Sequence, residues 1–354
     1  MSIYVEKEEL PRLCVHSSMM LNCFNLDVIL LSMHQIQLLN GETLSCGYTF
    51  KVAQRGFKEL SLVHILTSQA DFESHLQTCE NGVTCAYYGN LFLCTAYHPL
   101  FDKRFNIMGL EALLRVRTID GEWVNPGDLF AKRAFGTDEY YHQINLDRLA
   151  RVLHFRNFSL LHLSINLFVN LLPATALSNL KSHGQALVLN RLKELGIKRE
   201  QIVNEILEHE VDSTQEIIEL RKAIIECRQN GLRVAVDDYG ADGSDDFRVQ
   251  SLQPDIIKID RNILLQYLSG QQNSLLRGIE LAKQLKCMVV IEGIETREQL
   301  LAMQALDTHF YQGFYLAKPK LLDKSTDIDN FYSQLQSHPN VRLATTLLTK
   351  LNTR

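Results

Sequence analysis

Long apolar runs are missing from this chain: none approaches the roughly 20 apolar residues that a membrane-spanning helix needs. The opening segment, MSIYVEKEELPR, is charged and lacks the apolar stretch of a signal peptide. A cytoplasmic protein with no membrane contact is the expectation. An excess of basic charge is missing too. With 36 Lys and Arg against 41 Asp and Glu, the net charge is −5, so there is no electrostatic footprint for duplex DNA and no DNA binding is expected. The cysteines contain no CxxC and no ordered Cys/His pattern. Six of the eight (Cys14, Cys23, Cys46, Cys79, Cys85 and Cys94) fall in the first 94 residues. They read as buried or half-buried thiols, because cytoplasmic chains rarely use structural disulfides. There is no internal repeat and no low-complexity segment.

What is present is ordinary globular composition: 354 residues, 46% hydrophobic and 22% charged, enough for one large domain and a small one. The composition shifts near residue 88. Before it the patterns are weak: an apolar run at Val28–Leu31, a strand or hairpin over 41–52 and a helix over 69–79. Residues 1–88 are read as a small α+β module of unreadable function. From Leu91 onward, apolar strand-like runs alternate with helical stretches. LFLCTAYHPLF, GLEALLRV, LLHLSIN, QIVNEIL, LRVAVDD, DIIKID, CMVVIEG and FYQGFYL make eight strands. Helices are expected near 138–155, 175–195, 272–286 and 296–305. Ser213 and Glu216 form a capping box that opens another helix, closed by Gly231. Runs without in/out alternation suit a sheet covered on both faces. Eight of them interleaved with helices predict an α/β fold with a parallel (β/α)₈ barrel over residues 89–325, followed by a helix and tail over 326–354.

Polar residues recur at or near the C-terminal ends of these runs. They are Glu111 in GLEALLR, Asn166 in LSIN, Glu205 in IVNEILE, Asp237 and Asp238 in VAVDDYG, Lys258 in IIKID, and Glu292 in VVIEG. Barrel active sites lie at that end. Singly each has a plain explanation: an acidic pair caps a helix, Lys258 pairs with Asp260 at the rim, Asn166 caps the next helix. Glu111 inside an apolar strand is harder to dismiss, since burying a lone carboxylate is costly. Carboxylates with an amide make an oxygen cage for hard divalent cations. Glu111, Asn166, Glu205 and Asp237 form one set; Asp237, Asp238 and Glu292 form a second. Two such ions about 3.5–4 Å apart activate water and stabilise the attacking and leaving oxygens of a phosphodiester. Lys258 adds positive charge where negative charge develops, and Arg115 has the fork that suits a phosphate.

From about Leu91 to Pro319 the chain resembles an EAL domain, the family that hydrolyses cyclic di-GMP to linear pGpG. GLEALLR carries the name-giving Glu-Ala-Leu, LSINLF matches the asparagine strand, and GIKREQIVNEILE matches the Glu-x-Thr-Glu segment. DDYG, DIIKID, VVIEGIET and YQGFYLAKP follow in order. The resemblance implies that Glu111, Asn166, Glu205 and Asp237 bind a first Mg²⁺ or Mn²⁺. Asp237, Asp238 and Glu292 would serve a second. Lys258 would touch the catalytic water. Arg115, Leu113, Gln312 and Asn166 would face the substrate, with Glu208 and Glu295 in support. It also implies a homodimer. The N-terminal module is the candidate surface for a protein partner.

Some positions depart from the family pattern. DDYGADGSDDF stands where the family has DDFGTGYSSL, Leu207 replaces a threonine, and His98 precedes Pro99 where a glutamine is usual. Of a Pro-x-x-Phe-Ile-Pro segment only Pro126 remains. The loop is not a calcium loop, since Gly240 and Val249 occupy its third and twelfth positions. Two functions follow: metal-dependent hydrolysis of cyclic di-GMP, or a catalytically weak or inactive cyclic di-GMP receptor or protein-interaction module on the same fold. An Asp238 carboxylate turned inward favours the first.

Overall fold

The computed structural model describes residues 2–6, 13–14, 28–32, 35–38, 43–45, 63–131, 133, 137–182, 184–206, 214–240, 246–337 and 340–341. The chain divides into two units, 1–64 and 65–354. In the first, β1 (Ser2–Glu6), β2 (Leu13–Cys14), β3 (Val28–Ser32), β4 (Gln35–Leu38) and β5 (Thr43–Ser45) are all antiparallel. β1 pairs with β3, and β2 and β5 flank β4. The apolar run at Val28–Leu31 is thus a strand. The hairpin expected over 41–52 is described only at β5.

Residues 65–88, grouped by composition with the N-terminal module, belong instead to the second unit. They form α1 (Gln69–Glu73), β6 (Leu76–Thr78) and β7 (Thr84–Tyr88). The helix expected over 69–79 is cut short because Leu76–Thr78 pairs with β7, and long-range pairing overrides local preference. A capping box of Ser68 and Asp71 fixes the start of α1. Leu66, Phe72 and Ala86 pack with Leu149 and Leu153 in one apolar cluster, which binds this segment to the domain that follows.

That domain continues with β8 (Leu91–Asp102), β9 (Ile107–Thr118), β10 (Trp123–Val124), α2 (Pro126–Leu129) and α3 (Asp138–Ser159). Next come β11 (Asn166–Leu171), α4 (Pro173–Ser182), α5 (Gly184–Glu194), β12 (Ile202–Ile206) and α6 (Thr214–Gln229). β13 (Arg233–Tyr239), α7 (Asp246–Leu252), β14 (Ile256–Ile259), α8 (Arg261–Leu268) and α9 (Asn273–Leu285) follow. The described elements end with β15 (Met288–Ile291), α10 (Arg297–Gln304), β16 (Phe310–Tyr311), β17 (Lys320–Leu322) and α11 (Ile328–Gln336). Ser213 of the expected capping box lies outside the described residues.

Eight strands close a barrel in the order β8, β9, β11, β12, β13, β14, β15, β16. Seven run parallel; β8 is antiparallel to both of its neighbours. The expected all-parallel barrel fails here for a simple reason. Only residues 103–106 join β8 to β9, too short for a crossover, so the two can pair only as a hairpin. The strand expected over LLHLSIN begins six residues later, at Asn166, because Leu160–His162 form a turn that ends α3.

Most apolar side chains, such as Leu110, Leu167, Val169, Val234 and Ile257, face outward into a large core beneath the helices. A smaller cluster fills the barrel itself: Leu100, Phe168, Val203, Ala235, Ile256 and Val290, with Met108, Met288 and Phe310 beside them. Gly109 belongs to this layer, for a Cβ there would lie 2.7 Å from the Phe168 ring. The layer is a packed plug, as barrel interiors usually are.

Candidate metal centre

Side chains two residues apart on a strand share a face. Two residues beyond each plug residue, toward the strand's C-terminal end, the inward position is therefore the next layer up. From Phe168, Val203, Ala235, Ile256, Val290 and Phe310, that step reaches Asn170, Glu205, Asp237, Lys258, Glu292 and Gln312. From Gly109 it reaches Glu111. On the reversed β8 the equivalent step is backward, from Leu100 to His98. Each strand thus contributes one polar residue to a ring resting on an apolar floor.

Lys258, 1% exposed, sits at the centre of this ring. Its Nζ lies 2.7 Å from Glu205 Oε1, 2.8 Å from Glu292 Oε1, 2.9 Å from Asp237 Oδ1 and 3.4 Å from Glu111 Oε1. An ammonium has three protons and cannot serve four carboxylates. Both oxygens of Glu205 and Oδ1 of Asp237 are buried and accept no directed hydrogen bond. Asp260, the alternative rim partner for Lys258, is occupied elsewhere: its carboxylate accepts from the Asn262 N–H at 2.7 Å and caps α8. Glu111 is braced from outside the carboxylate group. Gln312 Nε2 donates to its Oε2 at 2.7 Å, and His98 Nδ1 stands 3.7 Å from the same oxygen. His98 Nε2 faces the Ala317 carbonyl at 3.0 Å, which fixes the orientation of the ring. Gln312 owes its place to Gly313, where a Cβ would come within 2.1 Å of the Ile294 carbonyl oxygen.

Adjacent aspartates on a regular strand point to opposite faces. Asp238 escapes that rule because its φ is +54° and the pairing of β13 with β14 shifts register there. Two carboxylate groups result: Glu111, Glu205 and Asp237, and Asp237, Asp238 and Glu292. The ligand atoms within each lie within 4.8 Å of one another, and Asp237 belongs to both.

The electrostatics follow from five carboxylates gathered around one lysine. Burial, together with the neighbouring carboxylates, pushes Glu205 and Glu292 well above the usual range, although Lys258 pulls the other way. Burial and then Asp237 raise Asp238 to about 6. Burial works against Glu111 as well, but Lys258, His98 and Gln312 outweigh it and hold this carboxyl at about 2. Lys258 loses charge stability to burial and regains more from Asp237, Glu111, Glu205 and Glu292, so its pKa stands well above that of a free lysine. It stands as a cation and hydrogen-bond donor among these carboxylates. Uncompensated buried carboxylates with vacant lone pairs are the donor set that hard divalent cations take.

Glu111, Glu205, Asp237, Asp238, Lys258, Glu292 and Gln312 are therefore brought together. Asn166 is not. It opens β11 level with Gly109, its amide donates to the Met108 carbonyl at 3.0 Å, and its oxygen accepts from Arg233. Asn170 stands four residues further on, about 13 Å along the strand. It is in register with Glu205, and its Oδ1 is buried without a partner. Sequence reading missed Asn170 and His98 as members of the ring. The FVNLLP segment held a signal for Asn170, being a second asparagine on the same face, nearer the strand's C-terminal end. Leu113 and Arg115 continue the Glu111 face of β9, where the Arg115 guanidinium is half-buried. Glu295 forms an exposed ion pair with Arg261 at 2.6 Å. Leu207, Glu208 and residues 241–245 lie outside the described residues. Among the described residues, no helix is long and apolar enough to cross a membrane.

The family model for the EAL domain matches residues 90–319. The probable cyclic di-GMP phosphodiesterase PdeB of Escherichia coli is 28% identical over 237 residues, spanning 65% of this chain and 43% of that protein. This chain spans less than half the length of the first curated relatives it matches. YkuI of Bacillus subtilis, an EAL-domain protein solved with cyclic di-GMP and calcium, superposes with a TM-score of 0.56 at 24% identity, over 74% of this chain and 63% of that one. BlrP1 of Klebsiella pneumoniae, solved with manganese and cyclic di-GMP, gives 0.54 at 24% identity, over 65% and 56%. At that identity the two structures bear on the fold alone. The family match covers the whole barrel and the motifs that build its polar ring: this chain belongs to the EAL-domain family.

Proposed function

We propose that this barrel hydrolyses cyclic di-GMP to linear pGpG with two divalent cations, Mg²⁺ or Mn²⁺, in the cytoplasm as part of bacterial second-messenger signalling. One observation carries the reading: two carboxylate triads share Asp237 and crowd more buried negative oxygens than the single Lys258 ammonium can serve. Glu111, Glu205, Asp237 and the Asn170 amide would hold one ion; Asp237, Asp238 and Glu292 would hold the other. The ions would supply Lewis-acid activation of water and neutralise charge on the phosphodiester.

The chain's own residues do the rest. Lys258, held protonated, donates to the attacking water or to a phosphate oxygen and compensates charge building there. Gln312 orients Glu111 through its 2.7 Å hydrogen bond. Arg115, above Glu111 on the same face of β9, offers its fork to a phosphate. The apolar floor beneath the ring keeps bulk water from below. The orientation of Asp238 favours this enzyme over a receptor that has lost its chemistry. It is drawn inward to Asp237 and Glu292, although the loop that follows departs from the family pattern. Beyond that loop, Asp246 is held by the Tyr239 hydroxyl at 2.7 Å and by Arg277.

The test is turnover of cyclic di-GMP by the purified chain with Mg²⁺ or Mn²⁺, products resolved chromatographically, beside Glu111→Ala. We expect pGpG from the parent and a loss of roughly 10³-fold or more in the variant. No product with either metal would reject the activity.

A further inference from the structure

Behind β11 and β12, on the side away from the barrel axis, lies a second buried polar group that the ring does not include. Arg151, on α3, is 5% exposed. Its Nη1 donates to the Asn170 carbonyl at 3.0 Å and its Nη2 to Asn204 Oδ1 at 2.8 Å. Asn204 immediately precedes Glu205 and is itself buried. One guanidinium therefore grips β11 at the residue whose amide faces the ring, and β12 one residue from the carboxylate beside that amide. Asp147, one turn earlier on α3 and buried, is its charge partner. The Phe155 ring, 5.5 Å from the guanidinium carbon, packs against it.

Burying a charged pair is a poor way to gain stability, since apolar side chains of the same volume do as well or better. What a planar, forked cation supplies that apolar packing cannot is direction. β11 ends at Leu171 and β12 at Ile206, so the ladder is about to stop at the level where oxygen donors must be spaced to a few tenths of an ångström. A tie at that height reinforces the last rungs of the ladder, Asn170 with Glu205 and Leu171 with Ile206.

We propose that Arg151 is a positioning residue, clamping β11 to β12 behind Asn170 and Glu205 and thereby setting the separation of these two oxygens for a divalent cation. The proposal rests on the metal reading of the ring. Supporting groups around a metal site commonly change affinity by about 10- to 100-fold, and the clamp belongs with these.

The experiment uses the full chain. Mn²⁺ is titrated by loss of the free-ion electron paramagnetic resonance signal, with cyclic di-GMP kcat and KM measured alongside, for the parent, Arg151→Met, Arg151→Lys and Asn204→Leu. Arg151→Met is expected to weaken Mn²⁺ binding about tenfold and to lower kcat with little change in KM. Arg151→Lys should recover part of the affinity by restoring one arm, and Asn204→Leu, which cuts one arm, should fall between. Parent affinity in a folded Arg151→Met overturns the clamp. Should that variant not fold, parent affinity in both Arg151→Lys and Asn204→Leu overturns it equally. A parent that takes up no Mn²⁺ overturns the metal reading and the clamp with it, whereas binding by the parent with unchanged variants removes the clamp alone.

Discussion

Two layers of the barrel interior, one residue pair apart along each strand, are built by opposite rules. The lower layer, around Phe168, Val203, Ala235, Ile256 and Val290, is apolar and fully buried. The upper layer packs four carboxylates against Lys258, with Asp238 beside Asp237, and leaves buried oxygens of Glu205, Asp237 and Asn170 with no directed hydrogen bond. Local consistency holds in the first and fails in the second, as expected where a site is kept for function rather than stability. The floor contributes apolar burial to stability, whereas the ring gathers charge at a cost in stability.

The sharpest way to test the contrast is to damage each layer and ask which property moves. Phe168→Ala should cost about 3–5 kcal/mol in urea unfolding, with Mn²⁺ affinity of the folded protein nearly unchanged. A comparable loss of affinity would mean that the layers are not separable.

A smaller effect of opposite sign is expected in the ring. With cations chelated, Asp238 has a pKa of about 6 against an ordinary 3.8 for an aspartate. Between those values the folded protein keeps a proton that the unfolded chain has released, so stability from this group falls as pH rises toward 6 and stays low above it. Asp238→Asn, which mimics the protonated acid, should be more stable than the parent at pH 7.5 by on the order of 3 kcal/mol. Near pH 4 the two should match. Saturating Mn²⁺ should reverse the order at pH 7.5. An equal difference at both pH values in chelator would dispose of the charge argument.

The mildest test separates the two asparagines of β11. Asn170→Ala should weaken Mn²⁺ binding about tenfold; Asn166→Ala should leave it within twofold, its amide being engaged with Met108 and Arg233. The opposite ranking would restore Asn166 to the site.

Much of the site was legible because its marks are local. Glu111, Glu205, Asp237, Lys258 and Glu292 each interrupt or end an apolar run, and a carboxylate or ammonium there is conspicuous without knowledge of the fold. Asp238 was legible as a neighbour, but its inward turn was not, since strand alternation alone would send it out. The error at Asn166 has a definite cause. Asn166 and Asn170 are four residues apart, so both satisfy the two-residue period, and that period gives the face of a strand but not the height along it. His98 was hidden because β8 runs backward; its step from plug to ring is counted in the other direction. Residues 65–88 were assigned by composition, which cannot register that β7 pairs with β8.

The sequence by itself determined the chemistry and the architecture: a barrel of alternating strands and helices, an oxygen-rich set of residues near strand ends, and the order of motifs that places the chain among EAL domains. These depend on residue identity and short-range periodicity. Tertiary structure alone decided strand direction, register and height: the reversed β8, the choice of Asn170 over Asn166, the entry of His98, and the Arg151 tie behind the ring. Those depend on hydrogen bonds and contacts between residues tens to hundreds of positions apart, which no local pattern encodes.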